Sequence, residues 1–483
     1  MNPSTRNAIA KLSVFSVAMI TITSVDSIRN LPGSALFGSH TVFFFLLAGI
    51  CYFIPTALVC AELSTTYPEQ GGVYLWGKKT LGKPFGFVTL WYQYAENLVF
   101  YPPLLSFIIA TAVYPFASHL TDSNLFIFFA INIVFWTITL INIRGLQISA
   151  IFTNICGILG LVIPMLLICS AGIYWFSNPS LPSQIQFNQL SDWIPDFSNL
   201  HLGAAFTAVV LSLTGMEITT AYANEVKNPQ KNYPRALLIA TFFILLTLTI
   251  GSLSIATIIA PTDSTLSSGI MVAFSAFFNQ LHLSWVIPLI AIGIVLGGLA
   301  GLNNWIIAPT KGLHAAAKDG FLPKVFTYEN KKKAPTVLLI TQGIITSLLS
   351  LIFIFVPNVN AGMWVLNILM TQLYMIMYIC VFISFIASRV RHRHLHRPFR
   401  VPGGIFGVIL IAGLGIISST ITIIVSFDFP ASVSISTGSY YLFFGLFIFT
   451  LPAIAGIYYF SRHSRNHSNQ SDLLIPESHN ATK

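Results

Sequence analysis

Apolar residues run along this chain in continuous stretches of about twenty or more, as from Leu12 to Ala35, Val42 to Cys60, Leu125 to Ile143, Ala236 to Ala260 and Val337 to Val356. Strict alternation of polar and apolar positions would mark the strands of a barrel, whereas unbroken runs of this length are what a transmembrane helix requires. Counting the runs between polar or Gly/Pro-bearing connections predicts twelve helices, over about 12–35, 42–65, 85–115, 124–143, 147–176, 201–225, 234–260, 281–316, 335–356, 362–388, 404–427 and 438–461. The expected fold class is an all-α integral membrane protein with twelve transmembrane helices.

Composition sharpens this. Of 483 residues 55% are apolar and 8% charged, against roughly 25% charged in ordinary soluble proteins, so there is too little charge to cover a water-exposed surface. Arg6 and Lys11 ahead of an apolar stretch imitate a secretory signal, but Asp26 and Arg29 interrupt that stretch and eleven more spans follow, so it is expected to stay as helix 1. The five cysteines (Cys51, Cys60, Cys156, Cys169, Cys380) all fall inside spans without CxxC spacing, which argues against structural disulfides or a zinc site.

A net charge of +9 raises the question of nucleic acid, and its distribution along the chain answers against it. Lys and Arg cluster in alternate connections: Arg6 and Lys11; Lys78, Lys79 and Lys83; Arg144; Lys227, Lys231 and Arg235; Lys311 to Lys333; Arg389 to Arg400; and Arg462, Arg465 and Lys483. The intervening connections, about 36–41, 116–123, 177–200, 261–280, 357–361 and 428–437, hold none. Under the positive-inside rule this places both termini in the cytoplasm of a multi-pass protein of the bacterial inner membrane. The run Arg391-His392-Arg393-His394-Leu395-His396 suggests a metal or pH-sensing cluster, but a solvated anchor near anionic lipid explains it more simply.

Ionisable groups inside spans are costly and point to function. Asp26 and Arg29 lie in helix 1, Glu96 in helix 3 and Glu217 in helix 6. Helix 1 is polar and β-branched through Thr21-Ile22-Thr23-Ser24-Val25-Asp26-Ser27-Ile28-Arg29-Asn30, and helix 6 is polar and glycine-interrupted at Ser212-Leu213-Thr214-Gly215-Met216-Glu217. The same defect five spans apart is the signature of a transporter with inverted repeats and broken helices. Free N–H groups at Ser27 and Ile28 suit a carboxylate and free carbonyls near Leu213 and Thr214 suit an ammonium, together an α-amino acid.

A purely structural role competes at each position. The i, i+3 spacing predicts that Asp26 and Arg29 neutralise each other, leaving Glu217 as the acid that titrates during transport. Glu96 beside Tyr92, Gln93 and Asn97 also reads as a helix-packing cluster. Asn303, Asn304 and Trp305 in helix 8, and Gln372, Tyr374 and Tyr378 in helix 10, either line the cavity or bond helices together. If the three acids are protonated, Arg29 favours an acidic side chain; if they are ionised, neutral or cationic ligands fit better.

Two long motifs are recognisable. Ala61-Glu62-Leu63-Ser64-Thr65-Thr66-Tyr67-Pro68-Glu69-Gln70-Gly71-Gly72-Val73-Tyr74 resembles the helix 2–3 signature of the amino acid–polyamine–organocation (APC) superfamily, and Gly215-Met216-Glu217 followed by Asn224 to Ala236 resembles its helix 6–7 segment. Ala315 to Pro323 and Arg397 to Gly404 extend the resemblance over nearly the whole chain. Ala308 to Leu313 and Cys156 to Pro164 are most similar to the bacterial glutamate/γ-aminobutyrate antiporter branch.

The resemblance implies a LeuT-like fold of two inverted five-helix repeats, about 12–176 and 201–388, within a ten-helix transport core over 12–388. Outside it lie a cytoplasmic N-terminus (1–11), a basic loop (389–403), helices 11 and 12 (404–461) and a cytoplasmic tail (462–483). It places substrate-contacting backbone at Val25, Asp26 and Ser27, with Ile28 adjoining, and at Leu213, Thr214 and Gly215. Glu217 is implied as a proton-linked or gating acid, and Arg29 and Glu96 join it as coupling or gating candidates.

Three departures from the family pattern stand out. Val25-Asp26-Ser27 replaces a Gly-Ser-Gly break, Leu211 replaces the stacking aromatic of arginine/agmatine exchangers, and Gly160 replaces a helix 5 lysine.

The implied function is secondary active transport of amino acids, by antiport or proton coupling; the alternative is a transporter-like amino acid sensor without net transport. HExxH, GxSxG and phosphate-loop motifs are lacking, so neither an enzyme nor a cofactor or metal site is expected. The expected partners are an amino acid (glutamate-like or a decarboxylated amine), protons, the lipid bilayer and, as an open alternative, a second copy of the chain.

Overall fold

The computed structural model describes residues 13–69, 71–145, 155–195, 203–218, 226–260, 265–428, 436–450, 452–454 and 456–461, without the side chains of residues 204, 304, 308, 437, 447 and 450. Among them the secondary structure is helical, with no β-strand. Nine helices among the described residues are long and apolar enough to cross a membrane, and the chain is a multi-pass membrane protein.

Helix α1 (Val14–Val25) is capped by Ser13, whose hydroxyl accepts from the Ser16 N–H. Its polar residues stay helical because their hydroxyls bond back to the preceding turn, Thr21 to Val17 O at 2.9 Å and Ser24 to Ile20 O at 2.7 Å. After a break come a 3₁₀ turn (Ile28–Asn30) and α2 (Leu31–Ala35). Helix 2 comprises α3 (Thr41–Ala48), a π-turn (Gly49–Phe53) and α4 (Ile54–Thr66).

Then follow α5 (Gly72–Leu81), α6 (Lys83–Ala117), α7 (Asn124–Ile143) and, behind a π-turn (Ile158–Val162), α8 (Ile163–Ser177). The second half has α9 (Gly203–Ser212), α10 (Pro229–Ile258), α11 (Gly269–Gln280) and α12 (Val286–Lys318). The last elements are α13 (Thr336–Ser350), α14 (Ile352–Phe355), α15 (Val359–Arg391), α16 (Gly404–Val425) and α17 (Thr437–Gly445).

Twelve apolar runs thus become nine continuous spans, for two reasons. Helices 1 and 6 are split into pieces too short to cross alone, and helix 12 and the end of helix 6 fall partly outside the described residues. The start of helix 5 at 147–154 is also outside them. Two stretches read as parts of connections are helices instead: α5, and α11, which buries Ile270, Met271, Phe274, Phe277 and Phe278. Both are too short to register as spans.

α6 and α15 are the most enclosed helices and pack along each other at the centre of the bundle. α7 and α16 are peripheral and turn Leu125, Phe129, Ile133, Ile405, Phe406 and Ile409 outward. Pro102 and Pro103 lie within α6 without ending it, as neighbouring helices in a membrane bundle allow.

Candidate functional site

The two helix breaks form where the sequence places them. α1 stops because Asp26 (φ −66°, ψ 128°) and Ser27 (φ −146°, ψ 117°) are extended. α9 stops at Ser212; Leu213 and Thr214 make tight turns onto Val210 O and Leu211 O, and Gly215 takes φ +104° before a short 3₁₀ turn through Met216 and Glu217. That φ is open to glycine and strained for other residues. The breaks face each other, since a Cβ at Gly215 would lie 3.6 Å from Ser24 O and 3.8 Å from the Val25 side chain. Val25, Asp26, Ile28, Leu213, Thr214 and Gly215 are buried and Ser27 is half-buried.

Asp26 and Arg29 do not form the pair expected from their spacing. The i, i+3 rule holds only within a continuous helix, and the extended Asp26–Ser27 link turns the two side chains apart. Asp26 Oδ2 accepts from Thr247 Oγ1 of α10 at 2.8 Å. Arg29 Nη1 donates to Asn367 Oδ1 of α15 at 3.3 Å, and its guanidinium lies 5.2 Å from the Phe100 ring centre. The acid that acts on Arg29 electrostatically is Glu96.

Beside Arg29 a small cavity lies between α2, α9 and α15, lined among others by Thr207, Leu211, Leu266, Trp364, Asn367 and Thr371. Glu217 lies on the other side of the helix 6 break. Its Oε1 accepts from Tyr374 at 2.9 Å and Gln93 at 3.2 Å, and its Oε2 accepts a short hydrogen bond from Tyr378. The Tyr378 hydroxyl in turn accepts from the Gly215 N–H at 3.0 Å, so the broken backbone and the acid share one tyrosine. Tyr52 packs edge-on against Tyr378 at 5.5 Å. Glu96 accepts from Asn97 at 3.0 Å and couples electrostatically to both Glu217 and Arg29.

The remaining polar candidates divide. Tyr374 and Tyr378 join the Glu217 cluster. Gln372 instead donates to Ser426 at 2.6 Å and accepts from Tyr440 at 2.7 Å, bonding α15 to the end of α16 and to α17. Asn303 accepts from Asn142 at 2.9 Å, and the Trp305 carbonyl accepts from Tyr101 at 3.0 Å; these also join helices. The Asn304 side chain lies outside the described residues. Gly160 packs against α12, where a Cβ would fall 2.5 Å from Gly297 Cα, so a lysine at this position has no room.

Two groups escaped sequence reasoning. Asn367 and Trp364 sit in an apolar stretch that gave no signal. Glu62, buried at the end of α4, accepts from Arg389 at 2.6 Å, from Arg397 at 3.1 Å and from the Val401 N–H at 2.7 Å. Both of its motifs were visible, but nothing local says they touch. This part of the basic 389–403 loop is therefore a buried ion cluster, with His392 bonded to Tyr67 at 2.8 Å, while Arg393, His394 and His396 stay exposed.

The amino acid permease family model matches residues 12–469. An uncharacterised transporter of Legionella pneumophila is 39% identical over 450 residues, covering 93% of this chain and 94% of its own. Glutamate/γ-aminobutyrate antiporters of two Lactococcus lactis strains are 29% and 30% identical over 461 residues, 94% of this chain and 91% of theirs.

Proposed function

As the chain belongs to the amino acid permease family and is a secondary transporter of amino acids, we propose that it is an antiporter exchanging a glutamate-like amino acid for a decarboxylated amine. The observation that carries this reading is the apposition of the two helix breaks, with Arg29 on one side and Glu217 on the other. Similarity to glutamate/γ-aminobutyrate antiporters over nearly the full chain supports the substrate pair. In this reading helices 1–10 form a LeuT-like 5+5 inverted repeat within a twelve-helix bundle. Substrate binds against Val25 to Ile28 and Leu213 to Gly215, and access alternates between the two sides.

Both termini are cytoplasmic in the inner membrane, so the Arg29 cavity faces outward. Glu217 carries the coupling proton, held by hydroxyl donors that reorient as it binds or releases one. The test is counterflow in proteoliposomes: labelled glutamate should enter vesicles loaded with γ-aminobutyrate and not empty ones. Equal uptake into both would exclude exchange. Orientation is checked by single cysteines in 177–195, which should react with impermeant reagent from outside while those in 326–333 do not.

A further inference from the structure

We propose that Arg29 and Asn367 form the seat for the carboxylate at the far end of the substrate's side chain. They would then be the residues that select acidic and ω-amino acids over neutral ones. This deepens the exchange reading above and rests on it.

Arg29 is 5% exposed, and a buried guanidinium is costly unless an anion meets it. Its own protein does not supply one directly. Among the described residues its face is covered by Phe100 and one nitrogen bonds the neutral Asn367, while Nε has no hydrogen-bond partner. Among the described residues no acid forms an ion pair with it: Asp26 accepts from Thr247 through one oxygen, Glu96, which acts on Arg29 only at longer range, accepts from Asn97, and Glu217 accepts from Gln93 and two tyrosines. A planar fork with an unbonded nitrogen, on a side chain that lines the cavity, matches a carboxylate.

The cavity walls suit what would follow that carboxylate. Ala208, Leu211 and Ile368 offer apolar surface to methylene groups. The cavity is small, about 10 Å³, close to the room one water needs, so its walls part when a substrate chain enters.

The experiment compares glutamate with its neutral isostere glutamine, as competitors of labelled γ-aminobutyrate exchange in proteoliposomes. Arg29→Gln should reduce the preference for glutamate over glutamine by roughly tenfold or more, the loss expected for a charge-assisted hydrogen bond. Asn367→Asp, which places a competing carboxylate on the guanidinium, should do the same. Ligand-induced thermal stabilisation of monodisperse protein in detergent reads the same ratio if either variant inserts poorly.

If both variants keep the wild-type ratio, or lose glutamate and glutamine equally, the assignment of Arg29 and Asn367 is wrong while the exchange reading stands. If wild-type protein exchanges neither glutamate nor γ-aminobutyrate, the exchange reading falls and the assignment with it.

Discussion

Two buried polar regions of this transporter are built from the same residue types and differ in how fully they are occupied. Around Glu62 both carboxylate oxygens are taken, by Arg389, Arg397 and the Val401 N–H, and Arg397 also donates to Ser388 O at 2.7 Å and His392 O at 3.1 Å. Around the helix breaks, Arg29 Nε, Asn97 Oδ1, Tyr52 OH and Tyr94 OH are buried without a hydrogen-bond partner among the described residues. A closed network holds elements in one arrangement, whereas an open one keeps hydrogen-bonding capacity for something that comes and goes. The first ties the end of α4 to α15 and the loop before α16; the second surrounds the proposed path of substrate.

The sharpest way to break this comparison is Glu62→Ala. It strands two buried arginines and should cost about 3–5 kcal/mol, seen as a large drop in melting temperature and in monodisperse yield. Wild-type stability in this variant would mean the closed network does not hold the fold.

Gly215→Leu acts on the open region. The φ of +104° adds about 1–3 kcal/mol of backbone strain, and the side chain enters the gap facing Ser24 and Val25. Exchange should be abolished while protein remains in the membrane; retained exchange would remove the helix 6 break from the site.

Glu217→Gln is smaller in stability terms, since an amide can still accept from Tyr374 and Gln93. It should flatten the pH dependence of exchange and keep ligand binding. A full wild-type pH profile would make Glu217 structural.

The smallest effect is expected at Asp319, which accepts from Lys78 at 2.7 Å and from Tyr74 at the end of α12. Partial burial would raise its carboxyl, but the bonds from Lys78 and Tyr74 outweigh this and hold it below the usual carboxylate range. A group lowered on folding stabilises above its unfolded value of about 3.9 and loses that contribution as pH falls through the folded value. Asp319→Asn should therefore lower stability by at most about 1 kcal/mol, by a margin that is constant from pH 7 to 5 and shrinks below about pH 4. A margin that varies between pH 7 and 5 would contradict the pairing.

The sequence by itself determined whatever depends on neighbours along the chain. Unbroken apolar runs marked the spans. Polar, β-branched and glycine residues marked both breaks, because a helix fails locally where its residues favour other backbone conformations. The motifs at 61–74 and 397–404 were equally legible.

What only the tertiary structure decided is which polar group meets which. Asp26 turns to Thr247, Arg29 to Asn367, and Glu62 to Arg389 across 327 positions of sequence. The break itself undid the i, i+3 relation that made Asp26 and Arg29 look like partners. α11, short and partly polar, is helical where its phenylalanines find a surface to cover. Charge pairing and burial depend on separation in space, and local pattern sets that separation only while a helix stays continuous.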